Sequence, residues 1–169
     1  SPAVTSDDSV IRLWPIERVG GEQNRLHEEV RGKGTRKLLS VIKDPNLTVF
    51  KVDSDKPTPA VVYCPGGAYK VLGPQPELVE WLNDQGITVF MLKYTIPDNR
   101  DAAFEDVQRA MRLLRHQAGK WNIDPNQLGV VGQSAGGHLI ARLSQNYTEA
   151  TYEPIDDADQ ESSEPTFAV

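Results

Sequence analysis

Leu128-Gly129-Val130-Val131-Gly132-Gln133-Ser134-Ala135-Gly136-Gly137-His138-Leu139-Ile140-Ala141 decides the fold of this chain. Its first residues form a short apolar run that reads as a buried strand. Gly132-Gln133-Ser134-Ala135-Gly136 turns the chain sharply, and Gly137 to Leu143 reads as an apolar helix. A serine on such a strand–turn–helix stands where a nucleophile would, its hydroxyl lifted clear of the backbone. The turn tolerates little bulk beside the serine, because strand and helix nearly collide there. Gly132, Ala135, Gly136 and Gly137 meet that need. The start of the helix also leaves free N–H groups beside the hydroxyl, where an oxyanion would be held.

Working outward, the segments before this turn alternate in type. Ala60 to Cys64 and Ile87 to Leu92 are continuous apolar runs, as in strands buried on both faces. Pro76 to Gln85 reads as a helix stopped by Gly86. Ala102 to Lys120 reads as a long amphipathic helix, with Phe104, Val107, Ala110, Met111, Leu114 and Ala118 forming one apolar stripe. Ile123-Asp124-Pro125-Asn126 reads as a turn into the Leu128 strand, and Pro165 to Val169 as the opening of another strand. Arg36 to Ile42 and Leu47 to Val52 are β-rich runs around an Asp-Pro-Asn turn signal, and the spacing predicts a hairpin. The whole order predicts an α/β fold, a mostly parallel sheet with helices on both faces. Residues 1–36 read as an N-terminal arm over the sheet.

The 169 residues suffice for one domain with a core. Net charge is −6, but seven acids and no Lys or Arg lie between Glu149 and Glu164, so the remainder is near neutral. The acidic segment reads as a solvated surface loop. With no basic stripe and no apolar run of about 20 residues, nucleic acid and membrane are not expected partners. The single cysteine, Cys64, excludes an internal disulfide and a cysteine-based metal cluster.

Acyl-transfer chemistry needs two N–H donors for the oxyanion. Ala135, next after the serine, is one candidate. Pro65-Gly66-Gly67-Ala68, just after the Ala60–Cys64 strand, supplies the other through Gly66 or Gly67.

With these motifs in place, the sequence resembles an α/β-hydrolase of the esterase/lipase group, and within it the bacterial acetyl-xylan-esterase-like and feruloyl-esterase-like branch. The resemblance rests on Pro59 to Tyr69, Gly86 to Tyr94, Ala102 to Leu114 and Trp121 to Leu139, and runs over residues 35–148 and 165–169. It covers the N-terminal half to two-thirds of such a hydrolase. It implies a serine esterase with Ser134 as nucleophile, acting on an acylated carbohydrate such as xylan, with no cofactor or metal. It leans towards a secreted or periplasmic setting.

In this fold the catalytic acid and histidine follow the serine in sequence. No histidine follows His138, and His27 and His116 precede Ser134. His138 reads as a satisfied buried histidine, because the turn after the serine packs down against the sheet. The chain thus reads as a single incomplete hydrolase domain, 1–169. The resemblance places further strands, helices and both triad partners beyond Val169, on a C-terminal segment expected as a second chain after nicking, the alternatives being a segment that is unresolved or absent. Alone, the chain is expected to be inactive. The other readings are a same-fold feruloyl esterase, general carboxylesterase, peptidase or formamidase, or a binding fragment without catalysis.

Overall fold

The computed structural model describes residues 9–169. In chain order these give β1 (Val10–Arg12), β2 (Glu28–Arg31), β3 (Leu38–Ile42), β4 (Asn46–Phe50), β5 (Thr58–Cys64) and α1 (Pro76–Asp84). There follow β6 (Thr88–Lys93), α2 (Arg100–His116), α3 (Ala118–Trp121), β7 (Ile123–Gly132) and α4 (Ala135–Asn146). The main sheet has the order β1-β4-β6-β5-β7. β5 pairs in parallel with β6 and β7, while β4 is antiparallel to β1 and β6. Pro165 to Val169 lies alongside β7 in parallel: Val130 N–H donates to Phe167 O (2.9 Å) and Gly132 N–H to Val169 O (3.1 Å).

Alternation along the strands builds one core on each face. Ala60, Val62 and Cys64 of β5 join Phe90, Leu92, Leu128 and Val130 under α2 and α4. Val61, Tyr63, Val89, Met91 and Val131 face the other way and are covered by Val79 and Leu82 of α1. The α2 stripe Phe104, Val107, Ala110, Met111 and Leu114 is fully buried. Asn99 starts that helix by accepting Ala102 N–H on its side chain (3.1 Å). Among the described residues, no helix is long and apolar enough to cross a membrane.

The predicted hairpin does not form. β3 pairs with β2, and β4 pairs with β1 and β6. The cause is Asp44, whose fully buried carboxylate receives the Arg12 guanidinium and the Leu26 N–H. Leu13 N–H donates to Pro45 O (3.2 Å). These ties make Lys43 to Pro45 a crossing between two sheets instead of a turn. Ile123 to Asn126, read as a turn, instead begins β7. Its turn chemistry survives as an irregularity in the pairing with β5, where Asn126 N–H bonds the Asp124 carboxylate (2.9 Å). The long helix breaks at Gln117, between α2 and α3.

The acidic segment is also less solvated than its composition predicts. Arg109 on α2 is buried; its Nε donates to Leu13 O, and its terminal nitrogens meet Asp156 (2.7 and 2.9 Å) and Asp159 (3.1 Å). The hydrogen bond from Arg109 leads the effects that hold the Asp156 carboxyl below its usual range. Tyr152 packs edge-on against Trp14 at 4.8 Å. Trp14 in turn donates its indole N–H to Asp106 (2.8 Å), which also accepts the Thr95 amide (2.8 Å) and hydroxyl (2.6 Å).

Asp106 sets a pH dependence. Burial raises its pKa to about 6 against these hydrogen bonds. A carboxyl that holds its proton more tightly when folded adds stability as pH falls through about 6, and loses that stability as pH rises. Between pH 7 and pH 5 this group should add about 1 kcal/mol. Denaturant unfolding of the wild type and of Asp106→Asn at both pH values checks it. The variant should lack that increment, and equal pH responses would contradict the assignment.

Candidate active site

The C-terminal ends of β5 and β7 lie side by side, with Cys64 opposite Gly132. Each strand runs straight into one of the two expected corners, so both corners sit at one end of the sheet.

After Gly132 the chain passes through Gln133 to Ser134, whose φ of 53° and ψ of −118° are rare for any residue with a side chain. α4 begins at the next residue. Gly136 N–H donates back to Gln133 O (2.9 Å) and His138 N–H to Ser134 O (3.0 Å). The Ser134 side chain is exposed and does not cap the helix. A Cβ on Gly132 would lie 2.5 Å from Gly136 O, and one on Gly136 would lie 1.9 Å from Cys64 O. Backbone fills both places, so no side chain fits. Gly137 differs: a Cβ there would sit 3.6 Å from its nearest neighbour, an ordinary contact. The sequence reading that included Gly137 among the sterically required residues is therefore corrected.

The loop after β5 is held by its carbonyls. Pro65 O accepts the Tyr94 hydroxyl, Gly66 O accepts Gly73 N–H (2.9 Å), and Gly67 O accepts Lys70 and Val71 N–H (2.9 and 3.0 Å). A trans peptide points its N–H opposite to its C=O. Gly66 N–H therefore points away from Tyr94, and Gly67 N–H away from Gly73. Gly66 and Gly73 form an isolated antiparallel bridge, whereas the Gly67 and Ala135 amides have no backbone acceptor among the described residues. A Cβ on Gly66 would lie 3.2 Å from Ser134 Cβ, so this loop abuts the serine turn directly. Gly67 has a φ of 148°, and a Cβ there would meet Val71 O at 1.8 Å.

Three tyrosines frame the two corners, and the sequence reading missed all three. Tyr94 bonds Pro65 as above. Tyr63 donates to Gln133 Oε1 (3.0 Å) and accepts Gln75 N–H (3.1 Å), linking the serine turn to the start of α1. The Tyr69 hydroxyl lies 2.8 Å from His138 Nδ1. Burial pushes the pKa of all three phenols up, so they stay protonated. The available signal was a hydroxyl inside an apolar stretch, as in Val61-Val62-Tyr63-Cys64, which demands a polar partner once buried.

His138 is exposed, contrary to the buried reading: it lies on the first turn of α4, with its ring turned to the Tyr69 hydroxyl. His27 pairs loosely with Glu29 (3.4 Å), and His116 is exposed at the end of α2. No histidine ring among the described residues is hydrogen-bonded to the Ser134 hydroxyl. Among the described residues, no three His, Cys, Asp or Glu side chains cluster to hold a metal. A groove of about 890 Å³, lined by Phe50, Val52, Pro74, Val79 and Met91, opens between α1 and the end of β4 and includes no residue of the serine turn. The glycine geometry gives a paired expectation. Gly136→Ala should cost at least ~3 kcal/mol in denaturant unfolding or prevent folding, whereas Gly137→Ala should change stability by no more than ~1 kcal/mol.

Comparison with known proteins follows the same lines. The BD-FAE family model matches residues 48–169. An acetylxylan esterase of Xylanibacter ruminicola is 42% identical over 89 residues, 50% of this chain and 18% of that protein. Endo-1,4-beta-xylanase B of Butyrivibrio fibrisolvens is 32% identical over 114 residues, 62% of this chain and 18% of that protein. The crystal structure of an acetyl ester-xyloside bifunctional hydrolase from Caldicellulosiruptor lactoaceticus superposes with a TM-score of 0.72 at 31% identity, covering 95% of this chain and 55% of that one. The apo form of Thermogutta terrifontis esterase 2 shares the fold, with a TM-score of 0.63 at 23% identity over 83% of this chain and 53% of that one. The chain thus spans about half the length of these solved structures and under a fifth of the two curated relatives. Its mostly parallel sheet with helices on both faces is that of an α/β-hydrolase, and the chain belongs to the BD-FAE family.

Proposed function

We propose that this chain carries the nucleophile and the oxyanion-binding corners of a serine carboxylic-ester hydrolase that deacetylates a plant polysaccharide such as xylan. One observation carries the proposal: the Gly66 corner abuts the Ser134 turn so closely that a Cβ on Gly66 would lie 3.2 Å from Ser134 Cβ. The carbonyls of that corner are tied back, and the Gly67 amide is left without a backbone acceptor among the described residues. The names of the Xylanibacter and Caldicellulosiruptor relatives support an acetyl ester on a xylan-type substrate.

In the proposed steps, Ser134 Oγ attacks the ester carbonyl carbon and its proton passes to a histidine. The carbonyl electron pair settles on oxygen, held by Ala135 N–H together with Gly66 or Gly67 N–H. Collapse expels the sugar hydroxyl, which takes the proton from the histidine and leaves acetyl-Ser134. Water repeats the sequence and releases acetate.

The base is not among the three histidines of this chain. His138 has its Nδ1 engaged by Tyr69, His27 lies beside Glu29, and His116 ends α2. The proposal assigns the histidine and its orienting acid to polypeptide beyond Val169, a C-terminal segment packed against this chain. The strand-like pairing of Pro165 to Val169 with β7 supports that placement.

The 169-residue chain alone should therefore turn over p-nitrophenyl acetate roughly a million-fold more slowly than the assembled enzyme, the loss expected on removing a triad histidine. It should not label rapidly with a fluorophosphonate at Ser134. Fast labelling of the isolated chain would contradict the placement of the base. An assembled enzyme that labels equally well with Ser134→Ala would contradict the nucleophile. Across acetylated xylan and feruloyl esters, acetylated xylan should be the better substrate.

A further inference from the structure

We propose that Tyr69 and His138 are a positioning pair that locks the Pro65–Tyr69 loop to the first turn of α4, holding the Gly66 and Gly67 amides in register with Ser134. Its catalytic meaning rests on the function proposed above; the lock itself does not. Tyr69 Oη lies 2.8 Å from His138 Nδ1, and the rings meet edge-to-face at 5.7 Å and 88°. Tyr69 is 3% exposed, so its hydroxyl proton must find an acceptor inside the protein. The only acceptor recorded for it among the described residues is His138 Nδ1. The phenol therefore donates, Nδ1 accepts, and the imidazole carries its proton on Nε2.

The loop has reason to need such a lock. Ala68 and Tyr69 both hold φ at 59°, a left-handed conformation unfavourable for residues with a side chain. Asp98 N–H grips Tyr69 O (2.7 Å), and Arg100 stacks 4.9 Å over the Tyr69 ring. Those contacts fasten the loop to the segment entering α2. Tyr69–His138 is the side-chain hydrogen bond that fastens it to the helix whose N-terminus carries Ser134. His138 begins one turn after the serine and is itself tied to it, its N–H donating to Ser134 O (3.0 Å). A shift of the loop relative to the serine turn thus has to break a bond one helical turn from the hydroxyl.

Hydrogen exchange of the 169-residue chain tests the lock without any catalysis. The reporters are Lys70, Val71 and Gly73, whose amides bond Gly67 O and Gly66 O. Tyr69→Phe and His138→Leu should each speed their exchange about five- to ten-fold, while Val62 and Tyr63 in β5 stay unchanged. The double variant should exchange no faster than either single one. His138→Asn, whose Oδ1 can take the place of Nδ1 as acceptor, should restore slow exchange. Nitrogen-15 spectra of the unmodified chain should show Nδ1 bare and Nε2 protonated. Unchanged loop exchange in both single variants, additive effects, an Asn variant as loose as the Leu variant, or a proton on Nδ1 would each overturn the lock. Should Ser134 fail to label in the assembled enzyme while these results hold, the proposed function falls and the lock stands.

Discussion

The structure around Ser134 depends on a close approach of two backbones. Gly136 lies against the last carbonyls of β5, where a methyl group would come within 1.9 Å of Cys64 O. That approach lets α4 leave β7 at a sharp angle and still pack across the end of its neighbour in the sheet. It puts Ser134 outside the core in a left-handed conformation, which costs about 1–3 kcal/mol and is held by the packing around it. It also brings the loop that continues β5 against the serine turn. The two corners meet because their strands are parallel neighbours whose ends coincide.

Around this approach the protein uses hydroxyls to fix backbone. A loop built from Pro65, Gly66 and Gly67 has few side chains to pack, so its carbonyls and neighbours must be held from outside. Tyr94 holds Pro65 O from the residue after β6, Tyr63 holds Gln133 from within β5, and Tyr69 reaches α4. Each phenol is rigid, apolar along its ring and polar at its tip, suiting it to span a core and end on a polar group. On the other side of the molecule, Arg109 does comparable work. Buried on α2, it gathers Leu13 O, Asp156 and Asp159, so the N-terminal strand region and the acidic segment are fastened to the same helix.

What could be read from the sequence follows from how local the cause is. The serine turn was legible because its glycines are spaced by the steric demand itself. β5 and β6 were legible as apolar runs, and α2 as a stripe. Lys43 to Asn46 was not, because an Asp-Pro-Asn motif turns the chain locally in a hairpin or a crossing alike. The choice lies with Arg12, 32 residues upstream of Asp44. The docking of the acidic segment depends in the same way on Arg109, 47 residues before Asp156. His138 reads as buried from the packing of the turn after the serine, but its ring lies exposed against Tyr69, a partner 69 residues away in sequence. The tyrosine partners are all distant in sequence; only the need for partners could be read.

The central claim is that one exposed hydroxyl and the upstream glycine amides form a single site. It is tested most directly by a crystal structure of the assembled enzyme phosphonylated at Ser134. The account predicts the phosphonyl oxygen about 3 Å from Ala135 N and from Gly66 or Gly67 N. A phosphonyl oxygen turned to solvent, with those amides bonded elsewhere, would contradict it.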